Sequence, residues 1–390
     1  MTASAIWTPS QQRIANSNMQ DFLLQANALA MQQVPAKEIT DYAQLHQWSI
    51  DQPALFWSLV WQDSQLVPAL EKPIDDSEQL KHILRTGKEF YDAQWFSQLK
   101  INFAENLLQR RDDAIALISC GEPSLNQGQD RSMSYKVLYA QVAQLAHSLK
   151  AMGIVQGDRV AAFMPNTQET VIAMLATTSI GAIWSSCSPD FGLQGVIDRF
   201  GQIEPKVLFT TDGYFYGGKT LDSLPKVEQI CKQLNGLEHV IVIPHISLGS
   251  SLASSLENTA KFELPLIKNI AVQSWQEALD NDCEEIHFNR LPFDHPLYIM
   301  YSSGTTGVPK CIVHSAGGTL IQHAKELRLH TDVKPEDTIF YYSTCGWMMW
   351  NWLVSSLSIG ATVVLYDGSP FYPDGHYLWL MAERHKVSIF

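Results

Sequence analysis

The run Tyr301-Ser302-Ser303-Gly304-Thr305-Thr306-Gly307-Val308-Pro309-Lys310 packs hydroxyl side chains, two glycines and one fixed cation into ten residues. That mixture suits phosphate. Gly304 and Gly307 open backbone conformations closed to residues with a Cβ, so successive N–H groups can converge on one anion. Ser302, Ser303, Thr305 and Thr306 add hydroxyl donors, and Lys310 supplies charge. A Walker P-loop is excluded, because it needs lysine immediately after its last glycine and a helix opening there. Here Gly307-Val308-Pro309-Lys310 runs into another apolar segment. A polar hairpin with a lysine on its rim remains the plain alternative on composition alone.

Other segments offer further candidates. Trp347, Met348, Met349 and Trp350 follow Cys345-Gly346 and fit either core packing or the wall of a small apolar pocket. Lys219 closes the turn Tyr216-Gly217-Gly218-Lys219. The six cysteines, at 120, 187, 231, 283, 311 and 345, form no CxxC pair and no zinc-site spacing with histidine, so they read as reduced core residues and no metal site is assigned. A formal net charge of −13 disfavours nucleic-acid and anionic-membrane surfaces. No apolar run reaches the roughly 20 residues of a membrane span, and the N-terminus lacks a secretory pattern, so with its reduced cysteines the chain is expected to be cytoplasmic.

The elements that must position these residues alternate along the chain. Leu297–Tyr301 and Cys311–His314 read as strands on either side of the glycine-rich run. Earlier, Arg159–Phe163 (strand), Asn166–Ile180 (helix) and Ala182–Ser185 (strand) form a βαβ unit, with Asn166 and Glu169 as its capping box and Gly181 as the helix stop. Val207–Thr211, Leu224–Leu234 and Val240–Ile243 continue the pattern, as do Thr338–Tyr342, Met348–Leu357, Ala361–Tyr366, His376–Arg384 and Val387–Phe390. Ahead of them come a strand at 114–118, a surface loop from Gly121 to Ser132 and a helix at 135–152. Residues 1–108 are helix-rich, and Trp48, Phe56, Trp57, Trp61, Phe90, Tyr91, Trp95 and Phe96 read as a packing layer. The expectation is an α/β fold of layered, largely parallel sheets flanked by helices, divided into an N-terminal helical extension (1–108) and a large domain (109–390).

The ten-residue run, with Gly317-Gly318 after it, resembles the phosphate-binding loop of the adenylate-forming superfamily. Gly157-Asp158-Arg159-Val160-Ala161 and the segment from Gly181 to Gly192 resemble that superfamily's early structural motif and the floor of its acyl site. Trp7-Thr8-Pro9-Ser10, Met19-Gln20-Asp21-Phe22, Trp48-Ser49-Ile50, Phe56-Trp57 and Asn102-Phe103-Ala104-Glu105-Asn106-Leu107-Leu108 narrow the resemblance to acetoacetyl-CoA synthetases, across essentially all 390 residues.

The resemblance implies that acetoacetate and ATP give acetoacetyl-AMP and diphosphate, and that coenzyme A then displaces AMP, with Mg2+ as cofactor. It implies that Ser302, Ser303, Gly304, Thr305, Thr306, Gly307 and Lys310 hold the ATP phosphates, Thr305 and Lys310 being catalytic. It places Lys219 near a coenzyme A phosphate and makes Trp347, Met348, Met349 and Trp350 the lining of a short acyl pocket. Small molecules are then the partners, rather than nucleic acid or membrane. Acetate or propionate, or nucleotide binding without chemistry, are the alternatives. The superfamily's later motifs and its small C-terminal domain have no counterpart before Phe390, an ending that predicts truncation and no complete turnover by this chain alone.

Overall fold

The computed structural model describes residues 6–70, 77–123, 130–246, 269–302 and 307–390, which divide into two compact units. One comprises residues up to 101 with 292–294 and 317–334; the other comprises 102–291, 295–316 and 335–390. Along the chain the first unit gives way to the second between residues 101 and 102. The physical tie is Asn102, whose buried Nδ2 donates to the carbonyls of Thr178, Ser179 and Asn289, all within the second unit.

The first unit is helical. Helices Asn18–Met31, Tyr42–Asp51 and Pro53–Asp63 bury Phe22, Leu45, Trp48, Leu59 and Trp61. Ser17 and Asp41 accept backbone N–H groups at the first two helix starts, and proline opens the third, where no donor is lost. Trp48 and Phe22 meet Phe56 edge-on at 6.4 and 5.7 Å, and Phe96 stacks on Phe293 at 4.8 Å. Phe90 and Tyr91 depart from the expected packing layer, being 99% and 83% exposed. They sit on the single turn Phe90–Asp92, too short to turn both rings inward.

The strands of the second unit are β1 (Ile115–Gly121), β2 (Arg131–Ser134), β3 (Arg159–Phe163), β4 (Ile183–Cys187), β5 (Val207–Thr211), β6 (Gly213–Tyr216), β7 (Lys219–Asp222), β8 (His239–Ile243), β9 (Ala271–Ser274), β10 (Pro296–Tyr301), β11 (Cys311–Ser315), β12 (Thr338–Phe340) and β13 (Thr362–Asp367). A seven-stranded sheet runs β9-β8-β5-β3-β4-β10-β11 and a four-stranded one β12-β13-β1-β2. Within these two sheets, among the described residues, only the β10–β11 and β1–β2 pairs are antiparallel, as expected for strands joined by helical crossovers, while β6 and β7 form a separate antiparallel pair. Helix Gln168–Ser179 is buried at every residue; Thr177, Thr178 and Ser179 satisfy their hydroxyls on carbonyls of the preceding turn.

Three local expectations change. Thr167, not Asn166, holds the N-cap position of that helix, without a side-chain capping bond, and Glu169 pairs with Arg131 at 2.7 Å instead of closing a capping box. The Gly121–Ser132 stretch is not a plain surface loop: its ends belong to β1 and β2, and Glu122 is fully buried, while residues 124–129 lie outside the described residues. The expected strand Val387–Phe390 reduces to one parallel bridge, Ile339 to Ile389. No helix among the described residues is long and apolar enough to cross a membrane.

Candidate active site

Because β3, β4 and β10 are mutually parallel, the segments that leave their carboxyl ends emerge on one edge of the seven-stranded sheet. These are Met164–Asn166, Ser188–Gly192 and the glycine-rich run after Tyr301. The carboxyl ends of β12 and β13 meet this edge. Asn166 Nδ2 donates to Ser343 O (3.2 Å) and Tyr366 O (3.4 Å), and its Oδ1 accepts from Trp350 Nε1 at 2.7 Å. Ser186 Oγ donates to Cys345 O at 2.6 Å, and the Cys345 thiol donates to Met164 O at 3.0 Å. Burial pushes that thiol far above its ordinary pKa, which makes it a packing group and not a nucleophile.

The phosphate-loop candidate is anchored at both feet. Ser302 N–H donates to Lys310 O and Lys310 N–H donates to Ser302 Oγ, both at 3.0 Å, so the hydroxyl of Ser302 closes the base of the bend. Gln202 Nε2 holds Pro309 O at 2.8 Å. Gly307 has φ +125°, a conformation costly for a side chain, and open space where a Cβ would stand. Lys310 is exposed. Ser303, Gly304, Thr305 and Thr306 lie outside the described residues.

Beneath the bend, Ser185 Oγ lies 2.9 Å from both Ile299 O and the Tyr301 hydroxyl, and burial pushes that phenol up, keeping it neutral. Arg199 stacks 4.6 Å from the centre of the Phe191 ring and 5.8 Å from that of Tyr301. The sequence gives no sign of this second cation near the bend: a lone arginine on helix Leu193–Phe200 carries no motif.

The aromatic segment splits by face. Trp347 (61% exposed) and Met348 (43%) point outward, Met349 is half-buried, and Trp350 is fully buried against Asn166. Asn351, 3% exposed, lies with its Nδ2 3.4 Å from Met300 Sδ, next to the strand end that feeds the bend, and its Oδ1 has no partner among the described residues. Lys219 is exposed at the start of β7.

The sequence model of the AMP-binding enzyme family matches residues 103–390. The chain belongs to that family. This AMP-binding enzyme is 42% identical over 385 residues to the acetoacetyl-coenzyme A synthetase of Rhizobium meliloti (strain 1021), covering 99% of the chain and 54% of that protein. It is 41% identical over 392 residues to the acetoacetyl-CoA synthetase of Gallus gallus, covering 100% of the chain and 55% of that protein. Its fold matches the structure of the acetoacetyl-CoA synthetase from Streptomyces lividans with a TM-score of 0.83 at 38% identity, over 99% of the chain and 55% of that structure. The chain therefore spans about half the length of the curated relatives it matches.

Magnesium takes oxygen ligands in near-octahedral geometry. The one group of three potential ligands found among the described residues, Cys120, Asp130 and His385, offers a thiol and an imidazole, and Arg384 already lies 3.3 Å from the same carboxylate. It does not fit magnesium.

Proposed function

We propose that this AMP-binding enzyme is the nucleotide-binding part of an AMP-forming acetoacetate–CoA ligase of the cytoplasm. The observation that carries the reading is the bend 302–310, pinned by the Ser302–Lys310 pair at the carboxyl edge of the parallel sheet, beside the Trp347–Asn351 segment. A carboxylate is a poor acyl donor because its leaving group would be oxide. In the reaction a carboxylate oxygen attacks the α-phosphorus and diphosphate leaves. The thiolate sulfur then attacks the acyl carbon and AMP leaves.

The first step brings an anion against a polyanion, so fixed donors lower its barrier most where they need no rearrangement. In this reading the loop amides, Ser302, Ser303, Thr305, Thr306 and Lys310 take the phosphates, with Thr305 and Lys310 on the reacting group. Magnesium, when bound with ATP, neutralises phosphate charge; no described residue is assigned as its ligand. Trp347, Met348 and Met349 shape a short acyl pocket, with Trp350 behind them as support. Lys219 meets a phosphate of coenzyme A.

Isothermal titration with ATP tests the nucleotide half. Lys310→Ala is expected to weaken binding about tenfold, a loss of ~1.4 kcal/mol for one charge-assisted contact. Equal affinity in both proteins would remove Lys310 from the site. Radiolabelled diphosphate exchange across short acids, in a protein carrying this chain with the remaining length of its relatives, tests the acid. Acetate outcompeting acetoacetate would overturn the substrate.

A further inference from the structure

A carboxylate of the protein itself fills the anion-binding turn that carries Lys219. Strands β6 and β7 pair with Tyr216 opposite Lys219, so Gly217 and Gly218 form a two-residue hairpin loop. Their φ values, +61° and +77°, are those of a type I′ turn. Successive left-handed residues turn their N–H groups to one side and make a concavity for an anion.

Glu122 occupies it. Gly217 N–H donates to Glu122 Oε1 at 2.6 Å and Gly218 N–H to Oε2 at 2.7 Å, while Ser369 N–H donates to Oε1 at 2.7 Å. Glu122 is 0% exposed, and glycines make room for it and for the Tyr372 ring beside the turn. A Cβ on Gly368 would stand 2.4 Å from Glu122 Cγ, and one on Gly218 would stand 2.6 Å from the Tyr372 ring. Glu122 leaves the end of β1 and Ser369 follows β13, so one side chain ties the hairpin to two neighbouring strands of the smaller sheet.

We propose that Glu122 is a positioning residue: it takes the place of a bound anion in the Gly217–Gly218 turn, fixes the hairpin on the sheet edge, and thereby sets where Lys219 presents its charge to a phosphate-bearing substrate. The turn's amides are spent on Glu122, which leaves the ammonium group of Lys219, and not the backbone, to meet that phosphate. The inference deepens the coenzyme A reading of Lys219 and rests on it.

Titration of the chain with coenzyme A, dephospho-coenzyme A and ATP separates the two. Glu122→Gln keeps the shape but faces one glycine N–H with an amide donor, so the turn loosens. Lys219→Ala is expected to weaken coenzyme A about tenfold and Glu122→Gln about five- to tenfold. The double variant should bind no more weakly than Lys219→Ala alone, because both changes remove one interaction. ATP affinity should stay within about twofold throughout, and the losses should shrink for dephospho-coenzyme A if the contact is to the 3′-phosphate.

Full coenzyme A affinity in Glu122→Gln beside a loss in Lys219→Ala overturns the positioning role and keeps Lys219. Equal losses for ATP and coenzyme A overturn it as general destabilisation. No effect of Lys219→Ala removes both. Should Glu122→Gln fail to fold, Gly217→Ala strains the same turn without altering the carboxylate and must give the same coenzyme A-selective loss.

Discussion

Asn166 has the sequence context of a helix cap, and the folded chain uses its amide elsewhere. Both ends of the group are engaged, with two carbonyls and an indole N–H drawn from the segments after β12, from β13 and from helix Met348–Val354. Asn166→Ala strands all three in a buried site. The expected cost is about 2–4 kcal/mol, from three hydrogen bonds at ~1 kcal/mol each plus desolvated partners. Urea unfolding measures it, and a loss under about 1 kcal/mol would show that water or neighbours replace the amide. A part-buried contact gives a pH signature. His245 Nε2 lies 3.0 Å from Asp367 Oδ2. Burial pulls the imidazole down, but the bond and charge of Asp367, helped by Glu169 and opposed by Arg131, leave it above its ordinary value. A group raised on folding stabilises fully below its unfolded pKa, ~6.5 for histidine, and loses that contribution as pH rises through the folded value. The melting temperature should therefore fall above about pH 6.5, and fall less in Asp367→Asn. Identical slopes in the two proteins would show that the pair is not the source.

Whole elements were more legible than single roles. Val207–Thr211 and the helix from Tyr135 are found where their apolar periodicity puts them, because burial of a strand or of a helix face must be written along many positions. The strand-bend-strand around the glycine-rich run was legible for the same reason. Glu122, Arg199 and Asn351 were not: Glu122 and Asn351 meet residues distant in the chain, Arg199 bonds Gly195 O and lies over the Phe191 ring as well as near Tyr301, and a single polar side chain has no period. Gly181 is an intermediate case, readable as a stop and confirmed by φ +81°. Its surroundings add what the sequence hides, since a Cβ there would stand 2.6 Å from Leu291 Cδ1. Gly181→Ala should cost about 2–4 kcal/mol, from left-handed strain of ~1 kcal/mol or more and overpacking of ~1–3. Leu291→Ala in the same chain should recover the overpacking share, so the double variant comes out less destabilised than the sum of the singles. Strict additivity would assign the whole loss to the backbone.

The molecule as a whole opposes the ligand that its site is proposed to hold. A net charge of −13 repels a nucleotide triphosphate at long range, while in the proposed reading Lys310 would attract it over a few ångströms, with Arg199 as a second positive charge 5.8 Å from the Tyr301 ring. The two forces differ in reach, and salt separates them. Raising ionic strength from about 10 to 150 mM shortens the Debye length from roughly 30 to 8 Å, which removes the distant repulsion and spares contact-range attraction. Approaching 1 M, at ~3 Å, the close attraction is screened as well. The ATP association rate should therefore rise or hold level over the first interval and fall over the second, when measured by stopped-flow fluorescence. In Lys310→Ala the late fall should be shallower, because less local attraction remains to be screened. A rate that drops steadily from the lowest salt would mean that local positive charge dominates the approach even at a distance. The bend would then steer ATP as well as grip it, and the acidic remainder of the chain would have no part in the approach.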